Sequence, residues 1–287
     1  FLSHRFWINY IYGILGFFMT LFSLNLTAKY LFPSYALFSF ASTLSFSELI
    51  LFPLSNLINL GFDTLILSSE PESWRKVLKQ GFLTFTNWAK ASEQAIIGSA
   101  PKIAIKYDIP LILWGENPGL QLGDMKTMGR NGYDGNNLRY MNTVSGGNLD
   151  WLLEAGLSKE NLISFHYPTL NEFEDANIQI VYLGWFWKDW SIINNGMYSV
   201  TNGLQVRDDI AKNTGDLTRV FSLDEDWVTL NQMIKYYKYG FGRASDHVNE
   251  AIRAEVITRE EGIELVENYD GCCGDNYIAD FCEYIEI

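Results

Sequence analysis

Ile109, Leu111, Ile112 and Leu113 form a nearly unbroken apolar run that stops at Gly115-Glu116-Asn117-Pro118-Gly119. A short, continuous, branched run of this kind predicts a strand over 109–114 buried on both faces, as in a parallel sheet. Upstream, "TLILS" (64–68) predicts another strand, and "EPESWRKVLKQGF" and "SEQAIIGSAPKIAIKY" carry helical periodicity. Strand, helix, strand in this order implies a parallel crossover. The Gly-Glu-Asn-Pro-Gly loop then falls beyond the carboxyl end of a parallel strand, where open α/β sheets bind ligands, although a plain turn needs the same residue types. After it, "MGRNGYDGNNLRYMN" (128–142) is too polar for core and too long for a simple turn, which leaves a binding loop or a solvated excursion.

The last third is patterned for helices. Asp224 is placed to cap a helix with the stripe Trp227, Leu230, Ile234 and Tyr237, ended by Gly240. Ser245 is the expected N-cap of the next helix, with Val248, Ile252 and Val256 on its apolar face. Thr258 and Glu261 have capping-box spacing for a last helix that stops at Gly271.

Residues 1–58 do not share this pattern. Only Arg5, Lys29 and Glu48 are charged before residue 62, and ten of the nineteen phenylalanines lie there. The uncharged stretches 6–28 and 30–47 have membrane length, and Trp7, Tyr10 and Tyr12 would suit an interfacial belt. Asn9, Thr20, Ser23, Asn25, Ser39, Ser42 and Ser45 dilute the apolar signal, and no basic cluster sets an orientation. Three readings stand for this segment: a membrane or membrane-surface segment, an unusual buried layer, or AT-rich DNA read in the wrong frame, which yields this set of Phe, Leu, Ser, Ile, Asn and Tyr. Residues 59–287 are read as one α/β body with a helical C-terminus.

The net charge is −13, from 34 acidic and 21 basic residues, which excludes a broad nucleic-acid-gripping surface but not a small charged ligand. Cys272, Cys273 and Cys282 lack Cys-x-x-Cys spacing and nearby paired histidines, so no disulfide framework or structural zinc site is expected, and reduced cytoplasmic thiols are.

Several residues have the chemistry of a site. Glu116, Asn117 and Asp124 follow the strand end, where a carboxylate and an amide can orient a hydroxylated, amide-bearing ligand or hold Mg2+ beside phosphates; loop-stabilising hydrogen bonds are the alternative. In "GFGRASDH", Arg243 opens a helix whose free N–H groups favour an anion, and His247 and Arg253 are candidates to join it, against a purely structural pairing of Arg243 with Asp246. "WFWKDW" (185–190) sets Lys188 among aromatics, suited to sugar or base stacking or to core packing. "SGGNLD" (145–150) is a decoy for a Ser-Gly-Gly-x-Asp-Ser pyrophosphate loop: its Asp comes one residue late, Trp151 replaces the final Ser, and no buried strand precedes it.

Together "WRKVLKQGF", "NWAKASEQA", "IPLILWGENPGLQLGD", "GRNGYDGNNLR", "IQIVYLGWFWKDWS", "SLDEDWVTLNQMIKYYKYGFGRASDHVNEAIR" and "ITREEGIELVENYDG" resemble the N-acetyl sugar amidotransferase family of surface-polysaccharide biosynthesis, from about Asn59 to the C-terminus. The resemblance implies a Rossmann-like α/β fold of the adenine-nucleotide alpha-hydrolase (PP-loop, ATP-pyrophosphatase) type. It implies conversion of an acetamido group on a nucleotide-linked sugar to an acetamidino group in lipopolysaccharide or O-antigen synthesis. ATP and Mg2+ would be the cofactors, and a separate glutaminase would supply ammonia. On this reading Glu116, Asn117 and Asp124 are catalytic, and Arg130, Asp134, Asn136, Arg139, Lys188, Arg243, His247 and Arg253 bind sugar or nucleotide. The family's pyrophosphate loop belongs upstream of Asn59, where this chain has only apolar sequence, so the polypeptide as written is expected to show no turnover. A non-catalytic nucleotide- or sugar-binding relic and a membrane-anchored accessory protein are the alternatives. The expected location is the cytoplasm, or the inner membrane if residues 1–58 anchor the chain; no nucleic-acid partner is expected.

Overall fold

A computed structural model describes residues 65, 67, 69–115, 117–119, 124–186, 192–201, 206–221, 223 and 225–287. The expectations for residues 1–58, most of "TLILS", Glu116, Lys188 and the Asp224 cap lie outside these residues.

Helix α1 (Pro71–Phe85) starts where Pro71 presets the backbone and Glu70 accepts the first free N–H groups, Glu72 N at 3.0 Å and Ser73 N at 2.6 Å. It buries Trp74, Val77, Leu78 and Gly81, one stripe at helical spacing. Helix α2 (Ala89–Lys106) is buried on nearly every side, so it forms the central element rather than a surface one. At Gly98 an added Cβ would lie 2.9 Å from the His166 carbonyl oxygen, so glycine is what lets the 163–167 segment lie directly on α2.

Strand β1 (Leu111–Trp114) is parallel to β2 (Gln179–Tyr182), with Ile112 opposite Ile180 and Trp114 opposite Tyr182. The predicted strand is therefore present but shorter, and Leu111 is 42% exposed, so burial is not complete on both faces. The crossover that the described residues show runs from β1 forward to β2, through the short helices α3 (Asp150–Leu153) and α4 (Leu170–Asp175). Leu65 and Leu67 of "TLILS" have no regular structure but pack against the same core as β1. The fold is thus mixed α/β with a small two-stranded parallel sheet among the described residues.

Helices α5 (Ile192–Thr201), α6 (Ala211–Thr214), α7 (Val228–Tyr239), α8 (Arg243–Arg253), α9 (Arg259–Tyr269) and α10 (Asp275–Ile285) follow. Gly240 ends α7 in the left-handed region at φ 79°, and the Thr258–Glu261 box closes reciprocally on α9, both as the sequence predicts. Three details differ. Tyr237 is 75% exposed, off the α7 core stripe. Helix α8 is capped by Gly242 rather than Ser245 and stops at Arg253, leaving Val256 outside and exposed. Helix α10 lies beyond the last helix that the sequence predicts.

Two hydrophobic clusters organise the body. One joins Ile96, Ile97 and Ala100 of α2 to Ile112, Trp114, Ile180 and Tyr182 of the sheet. The other joins Trp74 and Leu78 of α1 and Trp88 to Trp227, Leu230 and Phe281. The second cluster fixes α7 and α10 onto α1 and the first half of α2. Among the described residues, no helix is long and apolar enough to cross a membrane.

Candidate active-site cleft

A cleft of 510 Å³ opens beyond the carboxyl end of β1. It is lined by Trp114 at the end of β1, Pro118 and Asp124 of the following loop, Glu93 and Ile97 of α2, Asn231, Lys235 and Lys238 of α7, and Arg243 and Asp246 of α8. Its volume is that of a small-molecule site. Its position is the one that a parallel strand end predicts.

The sequence candidates divide by placement. Asp124 and Arg243 both line the cleft. Asn117, only 3% exposed, donates through Nδ2 to the Gly132 carbonyl at 3.2 Å and ties the strand-end loop to the Gly- and Asn-rich stretch. Asp134 and Asn136 hem the free edge of β2. The Asp134 carboxylate accepts from Arg130 N, Asn136 N and Gln179 Nε2, and the Asn136 amide accepts from Ile180 N at 2.7 Å and donates to the Ile178 carbonyl. Backbone bonds from Gly135 N to Ile180 O and from Tyr182 N to Tyr133 O complete the edge. The 128–142 stretch is therefore a packed border of the sheet, not a solvated excursion. Arg130 itself is exposed. Arg139 is 8% exposed, donates to the Gly146 carbonyl at 3.2 Å, and lies over the Tyr167 ring.

Around α8 the helix start is already occupied from within the chain. Asp270 accepts from Gly242 N at 2.8 Å, Ser245 N at 3.2 Å and Ser245 Oγ at 2.6 Å, so the N–H groups expected to face an anion face a carboxylate instead. The Arg243 guanidinium packs over the Phe221 ring, and Asp216 and Asp246 support its charge against burial. His247, one turn on, stacks on the same ring at 4.6 Å, and its Nδ1 accepts from Leu217 N. Burial, opposed by Asp216 and reinforced by Arg243 and Lys235, pushes His247 down to about 4, so it is neutral at physiological pH. Arg253 is exposed at the far end of α8, about 15 Å along the helix from Arg243 at 1.5 Å per residue. Arg243 and Arg253 are thus held apart.

Three cleft residues carry chemistry that sequence reading misses. Lys235 pairs with Asp246 at 2.7 Å, and Lys238 donates to the Phe85 carbonyl. Glu93 lies on α2 three residues after Lys90, whose ammonium is turned to the Asn142 and Thr143 carbonyls and the Ser145 hydroxyl. Burial raises Glu93 to about 7, with the Thr143 hydroxyl and Lys90 opposing the shift. The signal was present in "NWAKASEQA": Lys90 and Glu93 are charges on a helix otherwise destined for core, an expensive placement without a purpose.

A stability prediction follows for Glu93. The unfolded carboxyl ionises near 4.5 and the folded one near 7, so ionisation destabilises the fold progressively between these values and fully above them. The shift corresponds to roughly 3 kcal/mol at about 1.4 kcal/mol per unit, reduced to about 2 kcal/mol because the side chain is partly open to solvent. Glu93→Gln is expected to stabilise the chain by about this amount at pH 8 and to leave it unchanged near pH 4. Urea unfolding at the two pH values checks it; equal effects at both would show that Glu93 titrates normally.

Residues 214–287 match the family described as LPS biosynthesis protein WbpG-like, C-terminal domain. This segment contributes Lys235, Lys238, Arg243 and Asp246 to the cleft. No curated protein matches the chain. The C-terminal part is thus similar to the C-terminal domain of WbpG-like proteins, and this match points to an LPS biosynthesis-related protein, as the resemblance of the sequence motifs implies.

Proposed function

We propose that residues 59–287 are the sugar-binding body of an ATP-dependent N-acetyl sugar amidotransferase of the PP-loop type, which acts on a nucleotide-linked acetamido sugar with ammonia from a glutaminase partner, and that turnover needs the pyrophosphate loop that the sequence as written lacks. The observation that carries the reading is the composition of the cleft: carboxyl and amide side chains of the α/β part share its lining with cations from the WbpG-like segment. Asp124, Asn142 and Asn231 suit the hydroxyls of a sugar, and Lys235, Lys238 and Arg243 suit its phosphates.

An amide carbon is a poor electrophile, and ATP, when bound, supplies the activation by turning the amide oxygen into part of a leaving group. The residues present fit its phosphates on the cationic side. Mg2+ usually keeps several waters and takes one or two carboxylates besides phosphate oxygens, for which Asp124 is the candidate. Among the described residues no group of three or more His, Cys, Asp or Glu side chains is arranged to hold a metal by itself. The chain's own contribution is to orient the sugar between the strand-end loop and α7 and to hold charge against its phosphates.

Calorimetric titration of the full chain with UDP-N-acetylglucosamine tests the binding half of this reading. Lys238→Ala and Arg243→Ala are each expected to weaken binding by about 1.5–3 kcal/mol, roughly 10- to 100-fold, the contribution of a charge-assisted hydrogen bond. Unchanged affinity with lowered thermal stability would assign Arg243 to structure. No binding of the nucleotide sugar at millimolar concentration would sink the reading.

A further inference from the structure

The cleft is chemically lopsided. The cations Lys235, Lys238 and Arg243 all belong to the α7–α8 side. Elsewhere in the lining Ile97, Trp114, Leu138 and Met141 supply apolar surface, together with Glu93, one helical turn before Ile97 on α2, and Thr143. Trp114 and Leu138 are almost fully buried, 3% and 1% exposed, so this apolar floor is part of the core and is rigidly placed. Lys90, the nearest cation to Glu93 on its own helix, is held away by two carbonyls and the Ser145 hydroxyl. A carboxyl group next to apolar floor, with its neighbouring lysine engaged elsewhere, is built to be a hydrogen-bond donor rather than an ion.

We propose that Glu93 is the specificity residue for the acetamido group: its carboxylic acid donates a hydrogen bond to the acetamido carbonyl oxygen while the acetyl methyl packs on Ile97, Leu138 and Met141. The proposal rests on the nucleotide-sugar reading of the cleft and adds which end of the ligand lies where. The phosphates face α7 and α8, and the acyl group faces α2. A plain hydroxyl in place of the acetamido group leaves both the donor and the apolar floor unmatched, so discrimination follows from the same residues. The elevation of Glu93 to about 7 keeps a large part of the population in the donor form at neutral pH. The other charged groups lining the cleft are Asp124, Lys235, Lys238, Arg243 and Asp246, and Lys90 adjoins Glu93 on α2.

The test compares UDP-N-acetylglucosamine with UDP-glucose by calorimetry on the full chain between pH 6 and 8.5. The acetamido sugar is expected to bind at least about fivefold more tightly at pH 6.5, a hydrogen bond's worth plus the methyl contact. That preference should shrink as pH rises through 7, and binding at pH 8 should take up a fraction of a proton, read from buffers of different ionisation enthalpy. Glu93→Ala should remove the preference while keeping UDP-glucose affinity. Glu93→Gln, which retains a donor and the side chain's shape, should keep a preference that no longer depends on pH. A pH-dependent preference that persists in Glu93→Gln overturns the proposal even if Glu93→Ala fails to fold. Equal affinity for the two nucleotide sugars in the unaltered chain also overturns it, whereas failure to bind either one overturns the nucleotide-sugar reading with it.

Discussion

Replacing Phe281 with alanine is expected to lower stability by about 3–5 kcal/mol, the usual cost of removing a fully buried phenylalanine. Phe281 is 0% exposed, and its ring lies 5.2 Å from that of Phe82, 5.3 Å from Trp227 and 6.3 Å from Trp88, an aromatic cluster joining α1, α7 and α10. The loss is a large part of the roughly 5–15 kcal/mol that holds a typical domain folded. Its consequence reaches the cleft, because Trp227 immediately precedes α7, and α7 carries Lys235 and Lys238. Urea denaturation should show the lower midpoint, and nucleotide-sugar affinity measured on the still-folded fraction should fall with it. A loss below about 1 kcal/mol would mean that α10 is only loosely docked.

That α10 escapes sequence reading has a specific cause. Its buried residues Tyr277, Phe281 and Ile285 recur every fourth position, a clear helical stripe, but Gly274 caps it without any side-chain hydrogen bond, and Asp275, which stands where a cap is sought, is already the first residue of the helix. Helix α9 was legible because its Thr258–Glu261 box is local and reciprocal. The same division runs through the site. The strand end at Trp114 and its loop are readable, since an apolar run followed by Gly and Pro is a local signal. The use of Asp134 and Asn136 is not, because short polar side chains that could meet a sugar are equally able to bind the free edge of β2, and only its three-dimensional position decides between these. Glu93 shows the reverse case: the sequence places a charge on a core helix, and the cleft beside it supplies the reason.

Asp270 is the least legible residue, and removing it is the second large effect expected. It lies 25 positions beyond Ser245 yet supplies the acceptor that local capping would take from a side chain at the helix start. Gly242 is shaped by it: an added Cβ there would stand 2.8 Å from Asp270 Oδ1, so the glycine serves close approach of the carboxylate rather than an unusual backbone angle. Asp270→Ala removes acceptors for two backbone N–H groups and one hydroxyl and takes a negative charge from the positive end of the α8 dipole. Caps alone contribute up to about 2 kcal/mol and hydrogen bonds to a charged group about 1.5–3 kcal/mol each, not additively, so a loss of about 2–4 kcal/mol is expected. Asp270→Asn, which keeps one acceptor oxygen but no charge, should cost about half as much. Since Arg243 is the first residue of α8, fraying of that turn should also weaken nucleotide-sugar binding at temperatures where the rest of the chain stays folded. Hydrogen exchange across residues 242–248 reads this directly: faster exchange confined to that turn in Asp270→Ala is the expected pattern, and unchanged protection there would show that α8 is held by its packing on Phe221 and not by the carboxylate.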